Sequence, residues 1–432
     1  MLLALARACA ACALLFVVFT ANAQSRAETI NPEGELTLAR AIDAALRSNP
    51  DLLASMYELS AAQARIVQAG LRPNPALDLE LENFAGTGQT RGIDALETTL
   101  SLSQVVELGG KRGLRRSVAE ADLDFASIEQ RARELDVLSD VTLRFIEVVA
   151  AQERERFARE ATALAQQTLD AIGARVAAGR SPEAERSRAR IALTRSLVEQ
   201  RQAESELRAA RYALSATWGS PEPAFSTAKA QLFDLRAVES FQALMEQLEQ
   251  SPDFTRFASE ARLRDAELRL ARVQARPNLT FSVGVRRFER SSDAALVAGF
   301  SMPLPISDRN QGAIREAQVR RDQTDAMLNA ARVRARASLL ALYQEMNADR
   351  ARVHTLRNEA LPQALLALDQ TRSGYERGRF SFLELITVQE ELLALQAAAI
   401  DAAADYHRVL AEIERLTSAA LTRPLTPPRV EP

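Results

Sequence analysis

Four short motifs recur in this 432-residue chain, in the same order and at nearly one spacing. Ser48-Asn49-Pro50-Asp51 returns as Gln250-Ser251-Pro252-Asp253, and Arg72-Pro73-Asn74 returns as Arg276-Pro277-Asn278. Gly109-Gly110-Lys111-Arg112-Gly113 stands where the second half has Asp308-Arg309-Asn310-Gln311-Gly312, and Gly179-Arg180 returns as Gly378-Arg379. The offsets are 202, 204, 199 and 199. One such pair arises by chance; four in order indicate a duplicated unit, so whatever one half builds, the other builds again. Residues 24–218 and 238–421 are the two repeats. Residues 219–237, with Pro221 and Pro223, read as the linker between them. Residues 422–432, with four prolines, read as a disordered tail.

Each half reads as helix, two strands, long helix, helix. The first helix is expected over residues 36–70, ending before the Arg72-Pro73 break. Alternation follows: Leu77, Leu79 and Leu81 face one way, and Asp78, Glu80 and Glu82 the other. Over residues 93–106, Leu96, Leu100 and Leu102 oppose Thr99, Ser101 and Ser103. In the second half Leu279, Phe281, Val283 and Val285 oppose Thr280, Ser282, Gly284 and Arg286, and then Leu296, Ala298, Phe300, Met302 and Leu304 share a face. Period two over eight or more residues means strands with two different faces, of the length a tilted membrane-crossing strand needs.

After Gly113 the period changes. Leu114, Val118, Ala121, Phe125, Ile128, Ala132 and Leu135 form a heptad seam, and no proline interrupts before Pro182. A helix is predicted over 114–178 and its counterpart over 313–377, kinked at Pro362. Shorter partners are predicted over 182–218 and 380–421. Helices this long do not belong to an ordinary globular domain; they form a coiled coil or wall a tube.

The N-terminus sets the compartment. Arg7, a 12-residue apolar run over residues 8–19 and Ala21-Asn22-Ala23 follow the layout of a secretory signal peptide. Cleavage after residue 23 would leave a 409-residue chain starting at Gln24, without Cys9 or Cys12, the only cysteines. No later stretch has the 18 or more apolar residues of a membrane helix, so a membrane part must be made of strands. Four strands cannot close a barrel alone, and open edges in lipid leave backbone groups unpaired at several kcal/mol each. Three copies would supply twelve strands and closed symmetry. Leu, Phe and Val would then face lipid, while Asp78, Glu80, Glu82 and Arg286 would line the wet lumen.

This layout, over nearly the whole mature chain, resembles the TolC-type outer-membrane efflux channels. The finer pattern is similar to the branch serving cobalt–zinc–cadmium and copper/silver export. It is carried by Arg72-Pro73-Asn74-Pro75, by Leu81-Glu82-Asn83-Phe84 with Gly86, by residues 104–112 (Gln-Val-Val-Glu-Leu-Gly-Gly-Lys-Arg), and by residues 305–312 (Pro-Ile-Ser-Asp-Arg-Asn-Gln-Gly). Some copper/silver members carry a lipid-modified Cys at the mature N-terminus. This chain has none there, which favours the cobalt–zinc–cadmium type. The resemblance implies a mostly α fold with a membrane β part. It implies a homotrimer of a 12-stranded barrel, four strands per chain, set in outer-membrane lipid of a Gram-negative cell and joined to a long periplasmic helical barrel with a twofold internal repeat. It implies a periplasmic membrane-fusion adaptor and an inner-membrane RND pump as partners, and heavy-metal cations as cargo.

The same resemblance places the inner aperture at residues 375–384. Glu384 matches a carboxylate that rings the pore in the family; a second acidic position is Thr387 here, and the first-repeat counterpart of Glu384 is Glu185. Three copies of one carboxylate near an axis would concentrate cations. Gly109-Gly110-Lys111-Arg112 lacks the upstream Gly and the Ser/Thr of a phosphate loop and reads as a strand-to-helix turn. His354 and His407, 53 residues apart, have no metal motif around them. Neither cofactor nor catalytic constellation is expected, and the formal charge of -3 argues against a nucleic-acid partner. Two other functions fit parts of the pattern: a duct for drugs or type I secreted polypeptides, and a soluble periplasmic coiled-coil adaptor.

Overall fold

The computed structural model describes residues 30–418. The segments read from sequence as a signal peptide, 1–23, and as a disordered tail, 422–432, lie outside the described residues. In the first half, β1 (Gly34–Leu36) leads into α1 (Leu38–Ser48) and α2 (Pro50–Ala69), so the single helix expected over 36–70 is two. The Pro50 ring excludes helical backbone at the residue before it, and Asn49 is extended at φ -63° and ψ 125°. Asn49 then caps α2: its Oδ1 accepts the Asp51 and Leu52 N–H groups at 2.9 and 3.0 Å. Its Nδ2 donates to the Thr217 carbonyl at 2.8 Å, tying α2 to the far end of its own half.

Strands β2 (Ala76–Glu82) and β3 (Glu97–Val106) come next, then α3 (Lys111–Ala177) and α4 (Glu183–Ala216). At 1.5 Å per residue, the 67 residues of α3 span about 100 Å. A short strand β4 (Phe225–Ala228) lies inside the segment read as linker and pairs in parallel with β1. The second half then gives α5 (Phe241–Gln250), α6 (Pro252–Gln274), β5 (Leu279–Phe288), β6 (Ala294–Ser301), α7 (Gln311–Thr355), α8 (Leu361–Glu376) and α9 (Phe382–Thr417). The break expected at Pro362 starts earlier. A π turn over Leu356–Ala360 precedes α8, whose second residue is Pro362. The wider turn accommodates a residue with no N–H to return.

The long strands form one antiparallel sheet in the order β2-β3-β5-β6. The pairs Leu79–Leu100, Leu100–Val285 and Val285–Leu296 put one apolar row across all four strands. That face is bare: Leu77, Leu79, Leu296 and Phe300 are each more than 60% exposed. The opposite face carries Asp78, Glu80, Glu82, Thr99, Ser101 and Arg286, as the alternation predicted. Met302 and Leu304 fall beyond the end of β6, and Leu96 falls before β3. Strands β2 and β6 are the edges, each with one unpaired side within the chain.

The largest core lies halfway along α3, not in the sheet. Val141, Phe145, Val148 and Ala150 of α3 are buried against Trp218, Leu36, Phe225 and the Ala402–Ala403 turn of α9. The β1–β4 pair seals this core, and Gln152 of α3 bonds both the N–H and the carbonyl of Ala228 at 2.7 and 2.9 Å. A second core joins α5, α7 and α9 through Leu244, Leu339, Met346 and Tyr406. The heptad seam of α3 is only half-buried in the single chain.

Candidate pore aperture and lumen

The two hairpins α3–α4 and α8–α9 turn in the same way. Gly179 and Gly378 have φ of 68° and 71°, a conformation that costs an L side chain about 1–2 kcal/mol. Arg180 N–H returns to the Arg175 carbonyl and Arg379 N–H to the Gly374 carbonyl, each at 2.8 Å, which satisfies the last carbonyls of the helices. The tips pack together around Tyr375, Phe382, Leu385, Ile172 and Ala189.

Tyr375 is the hub. Its hydroxyl donates to Glu185 Oε2 at 2.9 Å and lies 3.4 Å from Ser181 Oγ. The Arg175 guanidinium sits 4.6 Å from the ring centroid, and its Nε donates to Ser181 at 3.2 Å. Burial raises the Tyr375 pKa above its ordinary value, and its hydrogen bond to Glu185 acts in the same direction. The phenol therefore stays protonated and remains a donor. This bond ties the second hairpin to the first across 190 residues of sequence.

The predicted aperture residues are not brought together. Glu185 is held by Tyr375 and half-buried. Glu384 is exposed, yet its carboxylate folds back on its own helix start: Oε2 accepts the Ser381 N–H at 2.7 Å and the Ser381 hydroxyl at 2.8 Å. Those two bonds, the backbone one first, hold the Glu384 carboxyl below the usual carboxylate range. With Ser381 Oγ accepting the Glu384 N–H at 3.3 Å, this is a capping box. Thr387 is exposed and returns its hydroxyl to the Leu383 carbonyl at 2.9 Å. Around both tips arginines are prominent: Arg180, Arg186, Arg188, Arg377 and Arg379 flank the acids. Sequence reasoning missed Tyr375, Ser181 and Arg175 as a set. The available signal was a tyrosine in the last turn of a helix, three residues before a left-handed Gly, in a chain with only five tyrosines.

At the sheet, Arg286 gathers the polar face. It donates to Thr99 Oγ1 at 2.9 Å and to Glu97 Oε2 at 3.1 Å, and pairs with Glu82 at 2.9 Å. Asp78 accepts from Ser103 Oγ at 2.7 Å. These are ion pairs and hydroxyl bonds along the polar face of the sheet. Among the described residues no group of three or more His, Cys, Asp or Glu could hold a metal ion, and no helix is long and apolar enough to cross a membrane. His354 is exposed; His407 bonds the Leu232 carbonyl at 2.8 Å.

The profile described as "Outer membrane efflux protein" matches residues 41–220 and 243–419, once in each half. The chain belongs to the outer membrane efflux protein family. It is 30% identical over 383 residues to the cobalt-zinc-cadmium resistance protein CzcC of Cupriavidus metallidurans, covering 89% of this chain and 90% of that one. It is 28% identical to the nickel and cobalt resistance protein CnrC of the same organism, over 70% and 71% of the two chains. Among solved structures, CusC aligns with a TM-score of 0.73 at 19% identity over 88% and 91% of the chains. VceC of Vibrio cholerae aligns at 0.70 and 20%, over 88% and 95%. The fold is that of the TolC-type channels, and the chain is an outer-membrane efflux component. A soluble periplasmic adaptor, one of the functions weighed from sequence, is thereby set aside.

Proposed function

We propose that three copies close into one tube, a third of it from each chain, with a twofold internal repeat running through every third. Twelve strands form a barrel in the outer membrane, and the long helices continue it into the periplasm. One observation carries this reading: a four-stranded sheet with a bare apolar face and two unpaired edges. Lipid covers the face, and only further strands satisfy the edges. The repeats span 24–218 and 238–421, with β4 in the linker helping to seal the central core. The tube is the outer-membrane exit of a tripartite system, coupled through a periplasmic adaptor to an inner-membrane RND pump.

The cargo is heavy-metal cations of the cobalt, zinc and cadmium class, a reading supported by the similarity to CzcC and CnrC. The chain performs no catalysis and holds no cofactor; its work is conduction and closure. Asp78, Glu80, Glu82 and Arg286 line the lumen. At the inner end the Tyr375–Glu185 bond holds the hairpins shut, and Glu384 stands at the aperture with Thr387 one turn behind it. Deletion of the gene should raise cellular cobalt, zinc and cadmium several-fold under metal challenge, with restoration by the intact chain. Unchanged metal content, with sensitivity to organic compounds instead, would overturn the cargo and favour a drug duct.

A further inference from the structure

The helices of one chain pack side by side in the order α2, α3, α6, α7, matching the strand order β2, β3, β5, β6. Along this row α6 has a neighbour on each side, whereas α2 has only α3, and α7 has only α6. The open side of α2 is apolar where its counterpart is covered. Val67, near the end of α2, is 69% exposed and stands 204 positions before Ala271, which is 7% exposed. The neighbour missing from α2 is thus the equivalent of α3, one half further round, which is α7 of another copy.

Within one chain the row is locked at a corner. Lys111 Nζ donates to the Arg276 carbonyl at 2.5 Å and to Asn278 Oδ1 at 2.7 Å. Gly109 lets the backbone approach: a Cβ there would lie 2.7 Å from Arg276 Cδ and 2.8 Å from Val273 Cγ1. So the turn motif of the first half seats on the Arg-Pro-Asn motif of the second. The converse pair stays apart, on opposite edges of the chain. Asn310 caps α7 in the left-handed conformation in which Gly110 caps α3, and Gln311 follows it as Lys111 follows Gly110. At the other edge, Arg72 and Asn74 are exposed.

We propose that the Arg72-Pro73-Asn74 corner of a second copy seats on residues 308–311, with Gln311 taking between copies the place that Lys111 takes within one. This rests on the ring reading above and says where its seam is locked. The Gln311 amide has two N–H groups. One goes to the Ser307 carbonyl at 3.2 Å, which leaves the other for the Arg72 carbonyl or Asn74 side chain of the second copy. Aligned by their left-handed helix starts, Gly110 and Asn310, the two turns are 200 positions apart, one more than the motif spacing; Arg309 then stands where Gly109 does, and this corner sits further out than the one inside the chain. Leu304 and Ile306, 68% and 74% exposed on the same turn, lose their exposure to the arriving chain, as does Leu71 at 51%.

The test is an Asn74→Cys/Gln311→Cys double variant, purified from outer membranes and treated with a short bis-maleimide. Cys9 and Cys12 lie in the segment read as the leader, and the two single variants control for any other thiol. Covalent dimers and trimers on denaturing gels from the double variant alone are the expected result. A trimeric mass by light scattering with no linked species, or with both thiols bridged inside one chain, would overturn the corner and leave the ring standing. A monomeric mass would overturn the ring and the corner with it.

Discussion

At the tip, single side chains decide what a charge can do. Glu384, expected to ring a pore axis as one of three copies, closes a capping box with Ser381 in its own chain. A carboxylate engaged by two donors still carries its charge, but its position is fixed by the first turn of α9. Ser381→Ala should cost about 1 kcal/mol of stability through loss of the cap, read as a lowered thermal midpoint, and should free the Glu384 side chain. Glu384→Gln keeps the geometry and removes the charge. It should reduce cation selectivity in planar-bilayer reversal potentials, and unchanged selectivity would mean that the neighbouring arginines, not this acid, set the local field.

Helix starts and ends show how much of each element the chain's local chemistry determines. Gly109 and Gly110 both have φ above 70°, so Ala at either position is strained by about 1–2 kcal/mol. Only Gly109 also faces Arg276 and Val273 at contact distance, while Gly110 faces open space. Gly109→Ala should therefore lower the thermal midpoint clearly more than Gly110→Ala; equal effects would show that the corner is not tightly packed. On α9, burial pushes the Glu414 carboxyl up to about 7, with Arg236 acting in the opposite direction. The folded chain keeps a proton that the unfolded chain releases near its usual 4.5, so this contribution is complete below about 4.5 and is lost as pH rises through about 7. Glu414→Gln should flatten the fall in thermal midpoint between pH 5 and 8. The strands and long helices were legible because eight or more residues establish a period. The β1–β4 pair was not, because three and four residues establish none. The break at Asn49-Pro50 was present as a repeated motif but read through as helix, although a proline restrains the residue before it.

Across the whole molecule, function follows from contacts that join the halves. The polar face of the sheet could be read from alternation alone, since Asp78, Glu80, Glu82 and Arg286 fall on it by period two. The Tyr375–Glu185 bond proposed to close the tube could not, because the two residues are 190 apart and meet only when the hairpins pack. A hydrogen bond to a charged acceptor contributes about 1.5–3 kcal/mol, a factor of ten or more in a closed-to-open equilibrium. The most direct test is therefore single-channel recording of the purified protein in planar bilayers, wild type beside Tyr375→Phe. Small discrete openings from the wild type, and an open fraction at least about tenfold greater from the variant, are the expected result. Equal open fractions would contradict closure through this bond, and the absence of steps from either protein would contradict a channel altogether.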